Sequence, residues 1–402
     1  MQIKKQNILY KKITLGPNIE ISLSYFVWFL LTIIAVSSEM ARGLDSIDNY
    51  LVFKGVFDHV VQQKYLFSFY PSEYASYNNY GPAFSLIIAP FAVLPVYLGC
   101  FLWAIANAGC LFYAIKLLPI NENQKILIYW ISCIEMMTSI HNVQFNAMFT
   151  SFVIFSFVFT LRGKDWLATL FIALGILTKL YGVGALAFFF FSKNKKQFIG
   201  TFIMWMVIIV VLPMLYSSYD YIVKSYEDWY YQIIRRNDQN IANSKNAGMQ
   251  DISVPGMIRR IFNYYGNIDF KIIALAGIAF IVPLFKKHNL SSIKFQLHYL
   301  AIVLIAVVIF SSAAESPTFV IAVTGAAIWF VLQSTPVATS VKILLALLFL
   351  LTELSPTDIV PKYIRDHYIL AYSLKALPCF FIWCWLTVSA WTNDFRNYNH
   401  NE

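Results

Sequence analysis

Two carboxylates, Asp45 and Asp48, stand in the polar run Gly43–Tyr50, directly behind the first long apolar stretch of the chain. Only 13% of the 402 residues are charged, so an acid pair at the end of an apolar segment calls for a reason. A carboxylate at such a boundary can take the proton from a hydroxyl group as that group attacks. Two other readings stay open. Asp48 could cap a helix beginning at Asn49, and Asp45 and Asp48 could share a divalent cation, although no further obvious ligands accompany them. Three more polar constellations invite chemistry. The run His141–Asn146 offers Gln144 and Asn146 as contacts for a sugar or phosphate, or as helix caps. Lys179, in Lys179-Leu180-Tyr181-Gly182, could take up charge developing on a phosphate leaving group, or simply snorkel to the interface. Glu315 precedes Ser316-Pro317, where an acid is either a site residue or part of a turn. Tyr65, Phe67, Tyr70, Tyr77 and Tyr80 could line a sugar or anchor a helix at the interface.

The elements that carry these residues follow from composition. Hydrophobic residues make up 59% of the sequence, whereas a soluble surface needs about a quarter charged residues. Continuous, non-alternating apolar runs exclude a β-barrel and leave an all-α polytopic membrane protein. The net charge of +9 lies in short clusters between apolar runs, a positive-inside distribution, so no nucleic-acid partner is implied. Cys100, Cys110, Cys133, Cys379 and Cys384 all lie in apolar stretches, without metal-ligand spacing, and read as packing residues.

With Lys4, Lys5, Lys11 and Lys12 inside, residues 1–20 form a cytoplasmic N-terminus and a retained first helix runs outward over about 21–38. A first extracytoplasmic loop covers 39–96, with a short apolar piece from Phe84 to Leu94 lying at the interface. Two short apolar pieces, 166–178 and 182–191, hinge at Lys179, because one continuous helix would bury that charge in lipid. Residues 21–215 form a catalytic membrane module, 216–269 a second extracytoplasmic loop, 270–391 the C-terminal transmembrane helices and 392–402 a cytoplasmic tail. The total is about twelve spans with both ends inside. Asp45, Asp48, the 141–146 turn, Lys179 and Glu315 then all emerge on one face. Arg235-Arg236 and Arg259-Arg260, in the second loop, read as solvated charge, or as contacts for anionic headgroups.

The order and spacing of these motifs resemble glycosyltransferase family 87, polytopic GT-C-type enzymes related to polyprenyl-phosphate-mannose-dependent mannosyltransferases. The resemblance rests on Asp48-Asn49-Tyr50 with the amphipathic stretch to Tyr65, and on Tyr80-Gly81-Pro82-Ala83-Phe84 with Pro90 and Pro95. Gln144-Phe145-Asn146 and Lys179-Leu180-Tyr181 complete it. It covers about residues 20–335 and is clearest from 40 to 200. It implies transfer of a hexose, mannose first, from a polyprenyl-phosphate donor to a glycan or glycolipid acceptor, by one inverting displacement and without an essential metal or other cofactor. The family's first-loop catalytic Asp falls on Asp48, leaving Asp45 a supporting part. Gln144, Asn146, Lys179, Tyr181, Glu315 and Tyr80 are the expected substrate contacts. The expected setting is a bacterial cytoplasmic membrane with the site on its extracytoplasmic face. Two departures bear on binding: the usual glycine before Gln-x-Asn is Asn142 or Val143, and the usual proline after the Lys-Tyr pair is Gly182. The rival class is a transporter or flippase for a lipid-linked glycan or small solute, which also uses intramembrane charge and broken helices. A glycan polymerase or ligase is a third, with its working arginines in a large later loop.

Overall fold

The computed structural model describes residues 8–16, 19–244, 249–264 and 268–395. It is nearly all helical. The exception is an antiparallel hairpin of β1 (Lys12–Gly16) and β2 (Ile19–Ser22), which pairs Ile13 with Ile21 and Thr14 with Glu20. The all-α expectation read this stretch only as a basic tail. The hairpin leads straight into α1 (Leu23–Ala41). The first loop contains α2 (Asp48–Gln62) and the short α3 (Phe84–Ala92), followed by α4 (Val96–Lys116) and α5 (Glu122–His141). Asn121 and Gln124 start α5 with reciprocal side-chain-to-backbone bonds of 3.0 Å, which satisfy two free N–H groups of its first turn.

Next come α6 (Asn146–Leu161), α7 (Asp165–Thr178), a 3-10 helix (Leu180–Phe191) and α8 (Lys195–Val211). The second loop is built on α9 (Tyr219–Asn243) and α10 (Val254–Phe262). The C-terminal part has α11 (Ile268–Ile281), α12 (Ile293–Ile309) and α13 (Phe319–Val331). It closes with α14 (Thr339–Leu347), extended by a π-helix (Leu348–Glu353), and α15 (Leu377–Thr392).

Helices α6, α12 and α13 are apolar around their whole circumference and nearly every residue in them is buried. Such helices belong at the centre of a bundle. The helix α8 is as apolar but stands outside, with Ile199, Ile203, Val207 and Val211 exposed. In water each such half-exposed side chain would forgo about 1 kcal/mol of burial, so a face of this kind belongs in lipid. Four helices among the described residues are long and apolar enough to cross a membrane: 23–41, 96–116, 195–215 and 374–392. Five shorter apolar helices accompany them. The expectation of about twelve full spans is therefore not met by length, because several apolar stretches are broken pieces joined by turns.

The break at Lys179 is one of these. Its backbone is extended (φ −151°, ψ 112°), ending α7 and turning the chain into the 3-10 helix. The turn is tight because Gly182 lies on Gly175: a Cβ at Gly182 would stand 2.4 Å from the Gly175 carbonyl carbon. Glycine at this place serves close approach, whereas the proline of the resembling pattern would serve a fixed φ. Gly182→Ala is expected to lower stability by about 1–3 kcal/mol, read as a lower thermal unfolding midpoint in lipid discs. Gly200→Ala, where a Cβ meets nothing within 4 Å, is the control that should not fall.

Candidate active site

At the loop end of the bundle lies a cavity of about 1770 Å³. Ligand pockets for one small molecule are about 300–1000 Å³, so this space admits two sizeable head groups. Its wall takes in Asn49 and Tyr80 from the first loop, Gln144 from the turn after α5, Lys179 and Tyr181 from the hinge, and Glu315 ahead of α13. Of the polar constellations expected on one face, the 141–146 turn, Lys179 and Glu315 share this space, whereas Asp45 and Asp48 are not on its wall.

The first loop is held in place by the second. Trp229 on α9 donates from Nε1 to Asn79 O (3.1 Å), and Tyr221 from its hydroxyl to Lys64 O (2.6 Å). Gly81 packs under the Trp229 ring so closely that a Cβ there would sit 2.6 Å from it. Beneath, buried His59 lies 2.7 Å from Glu73 and packs against the tilted ring of Tyr70. Tyr80 is set against Phe84 and Phe53, with ring centroids 4.3 and 5.2 Å away, presenting an aromatic surface to the cavity.

Asp48 is the first residue of α2, and its Oδ1 accepts the Ala75 N–H at 2.6 Å. Both its helix neighbour Asn49 and its partner Ala75 line the cavity, while Asp48 itself is half-buried and not part of the cavity wall. Asp45 is exposed on a short 3-10 turn, outside the cavity wall. Among the described residues no group of three or more His, Cys, Asp or Glu is placed to hold a metal ion.

The turn after α5 owes its shape to Val143, whose φ of +47° is left-handed. For a β-branched residue this conformation costs about 1–3 kcal/mol, and glycine adopts it freely. That is a physical reason for the glycine in the resembling pattern. Gln144 reaches the cavity wall and Asn146 opens α6 just behind it. Buried Asn146 uses both ends of its amide: Nδ2 donates to Pro317 O (3.1 Å), and Oδ1 accepts from Lys179 Nζ (2.6 Å). It thereby ties the lysine to the turn that carries Glu315. Lys179 also lies 4.9 Å from the Tyr181 ring centroid.

Lys179 and Glu315 lie in breaks between helices, and each opposes the cost of the other. Burial pushes the Lys179 ammonium down to about 8, with Glu315 acting against that fall. Burial pushes the Glu315 carboxyl up, opposed by Lys179 and Arg236. Gln250 donates to Glu315 Oε1 at 3.4 Å.

Several groups were not legible as site residues. Arg236, read as solvated charge, lines the cavity from α9. Arg259 was read the same way and is fully buried, bonded to Asp251 and Asp269. The correction has a simple cause: a buried guanidinium needs carboxylate partners, and the chain before α10 and the first turn of α11 bring Asp251 and Asp269 to it. Arg260 is also committed, donating to Ser244 O at 3.0 Å. Glu39, at the end of α1, is 7% exposed and pairs with His141 and Arg42. Deeper in the bundle, buried Lys375 bonds Glu135 (2.6 Å) and Ser316 Oγ (2.9 Å), next to Glu315.

Lipid-facing apolar helices around a wide, loop-capped cavity with a few buried polar groups define a helical membrane protein with a ligand site at one end of its bundle. The chain belongs to glycosyltransferase family 87, whose family model matches residues 78–356. It is therefore a membrane-embedded glycosyltransferase. The match holds Tyr80, Gln144, Asn146, Lys179, Tyr181 and Glu315, and begins beyond Asp45 and Asp48. No curated protein sequence matches the chain.

Proposed function

We propose that the enzyme moves a hexose, mannose first, from a polyprenyl-phosphate donor to a glycan or glycolipid acceptor on the extracytoplasmic side of a bacterial cytoplasmic membrane. The supporting observation is the Lys179–Asn146 pair beside Glu315, on the wall of a cavity with room for both reactants. In this reading the acceptor oxygen attacks the anomeric carbon as its bond to the phosphate oxygen breaks, with inversion. Asp48 takes the hydroxyl proton, and Lys179 meets the charge growing on the departing phosphate. Gln144 and Tyr80 place the sugar, Asn146 holds Lys179 in position, and Tyr181 and Glu315 complete the phosphate side. Asp45 has a peripheral part. A divalent cation has no role in the reading, because the lysine supplies the positive charge.

The test uses purified protein in lipid discs with polyprenyl-phosphate-mannose and a panel of membrane glycolipids and glycans. Mannosylated product, insensitive to chelator, is the expected result. Movement of intact donor between the leaflets of vesicles without any transfer would point instead to a flippase.

A further inference from the structure

Glu39 and His141 form a carboxylate–imidazole pair that the reading above does not use. Glu39 Oε1 lies 2.9 Å from His141 Nδ1, and both Glu39 oxygens accept from Arg42 Nη1 at 3.1 and 3.0 Å. A buried carboxylate held in this way fixes the ring: Nδ1–H donates to Glu39, and Nε2 carries the lone pair. His141 lines the cavity, and among the described residues its Nε2 has no protein partner. The imidazole is thus oriented from behind and open in front, an arrangement for moving a proton.

Its place relative to Asp48 is set by one bond. Asn49 Nδ2 donates to Asn142 O at 2.9 Å, clamping the start of α2 to the end of α5. Asp48 and His141 are the chain neighbours of these two residues, so the bond brings the two backbone positions that carry them together. A carboxylate that has taken a proton from an acceptor hydroxyl must release it before it can act again.

We propose that His141 is a second proton-handling residue of the transfer reaction, with Glu39 as its positioning residue. Asp48 holds the acceptor's proton once the new glycosidic bond has formed and polyprenyl phosphate has left with the electron pair of the broken C–O bond. That proton passes to His141 Nε2, directly or across one water. The imidazolium, its charge offset by Glu39, then gives the proton to solvent at the cavity mouth, which restores Asp48. The step moves one proton and needs no other reactant. It rests on the transfer reading and on Asp48 as base.

The experiment measures initial rates for the polyprenyl-phosphate-mannose and acceptor pair that supports transfer by the wild type, with and without added imidazole. His141→Ala is expected to lower kcat by about 10- to 100-fold with an unchanged donor KM, and imidazole is expected to restore a substantial part of the loss. His141→Gln, whose amide can still donate to Glu39, should be as slow as His141→Ala. Glu39→Gln should be slowed less, and the double variant His141→Ala/Glu39→Gln should lose no more than His141→Ala alone, since Glu39 acts through the ring. Full turnover by His141→Gln, or a loss in His141→Ala that imidazole leaves untouched, overturns the relay while transfer by the wild type stands. Absence of transfer by the wild type removes the polyprenyl-phosphate-mannose reading, and the relay with it.

Discussion

Asp48→Asn is expected to lower kcat for sugar transfer by about 10²- to 10⁴-fold, the range for loss of a positioned general base. The asparagine oxygen can still accept the Ala75 N–H that Asp48 Oδ1 accepts at 2.6 Å. The first loop should therefore keep its shape, and donor KM and the thermal midpoint should stay close to wild type. What the amide lacks is basicity. Asp45→Asn is the matched control, an exposed acid on the preceding turn with no place on the cavity wall. Its rate should remain within about 3-fold of wild type, as for surface substitutions generally. Steady-state rates for the three proteins in the same lipid discs decide the point. Full activity in Asp48→Asn would remove Asp48 as base and leave the family assignment untouched.

Lys179→Met is the second large effect, expected to lower kcat/KM for the donor by about 30- to 1000-fold. Methionine fills a similar volume but gives Asn146 Oδ1 nothing to accept and leaves buried Glu315 with Arg236 as its remaining cation, beside the Gln250 amide. The loss should appear in both donor affinity and turnover, because phosphate carries charge in the ground state and gains more as the bond breaks. Acidity gives an independent readout. Since burial holds the Lys179 ammonium down to about 8, the free enzyme carries this cation below that pH and loses it above. Donor kcat/KM in the wild type should therefore fall as pH rises through about 8, where Lys179 titrates. Lys179→Met should lack that limb. Lysine-to-arginine replacement is not expected to restore the rate, because a planar fork cannot take the single short bond to Asn146. A wild-type profile flat across this range, together with an active Lys179→Met, would leave the phosphate to Arg236.

The parts of the molecule that were legible in sequence are those governed by local pattern. The first helix, the short apolar piece after Gly81-Pro82 and the break at Lys179 follow from run length and from the cost of charge in lipid. The gathering of Gln144, Lys179, Tyr181 and Glu315 around one cavity follows from the charge rule that set the faces. The parts that escaped depend on partners far apart in the chain. Glu39 and His141 are 102 positions apart, so nothing near Glu39 marked it as more than the end of a helix. Arg259 is indistinguishable from its solvated neighbours until Asp251 and Asp269 fold around it. The second loop, rich in Tyr, Asn and charge, reads as irregular chain and instead carries a helix of 25 residues, α9, that grips the first loop.

The Lys375 ammonium, bonded to Glu135 and Ser316, has a consequence for how the protein can be divided. Similarity to the family ends at residue 356, yet this lysine reaches back 240 positions to α5 and supports the turn next to Glu315. A truncation after residue 356 would keep the whole recognisable stretch and leave Glu135 as an uncompensated charge inside the bundle. The boundary of family likeness is therefore not a boundary of folding. The turn that carries Lys375 props the Glu315 turn from behind, and the enzyme is indivisible at the place where comparison alone would cut it.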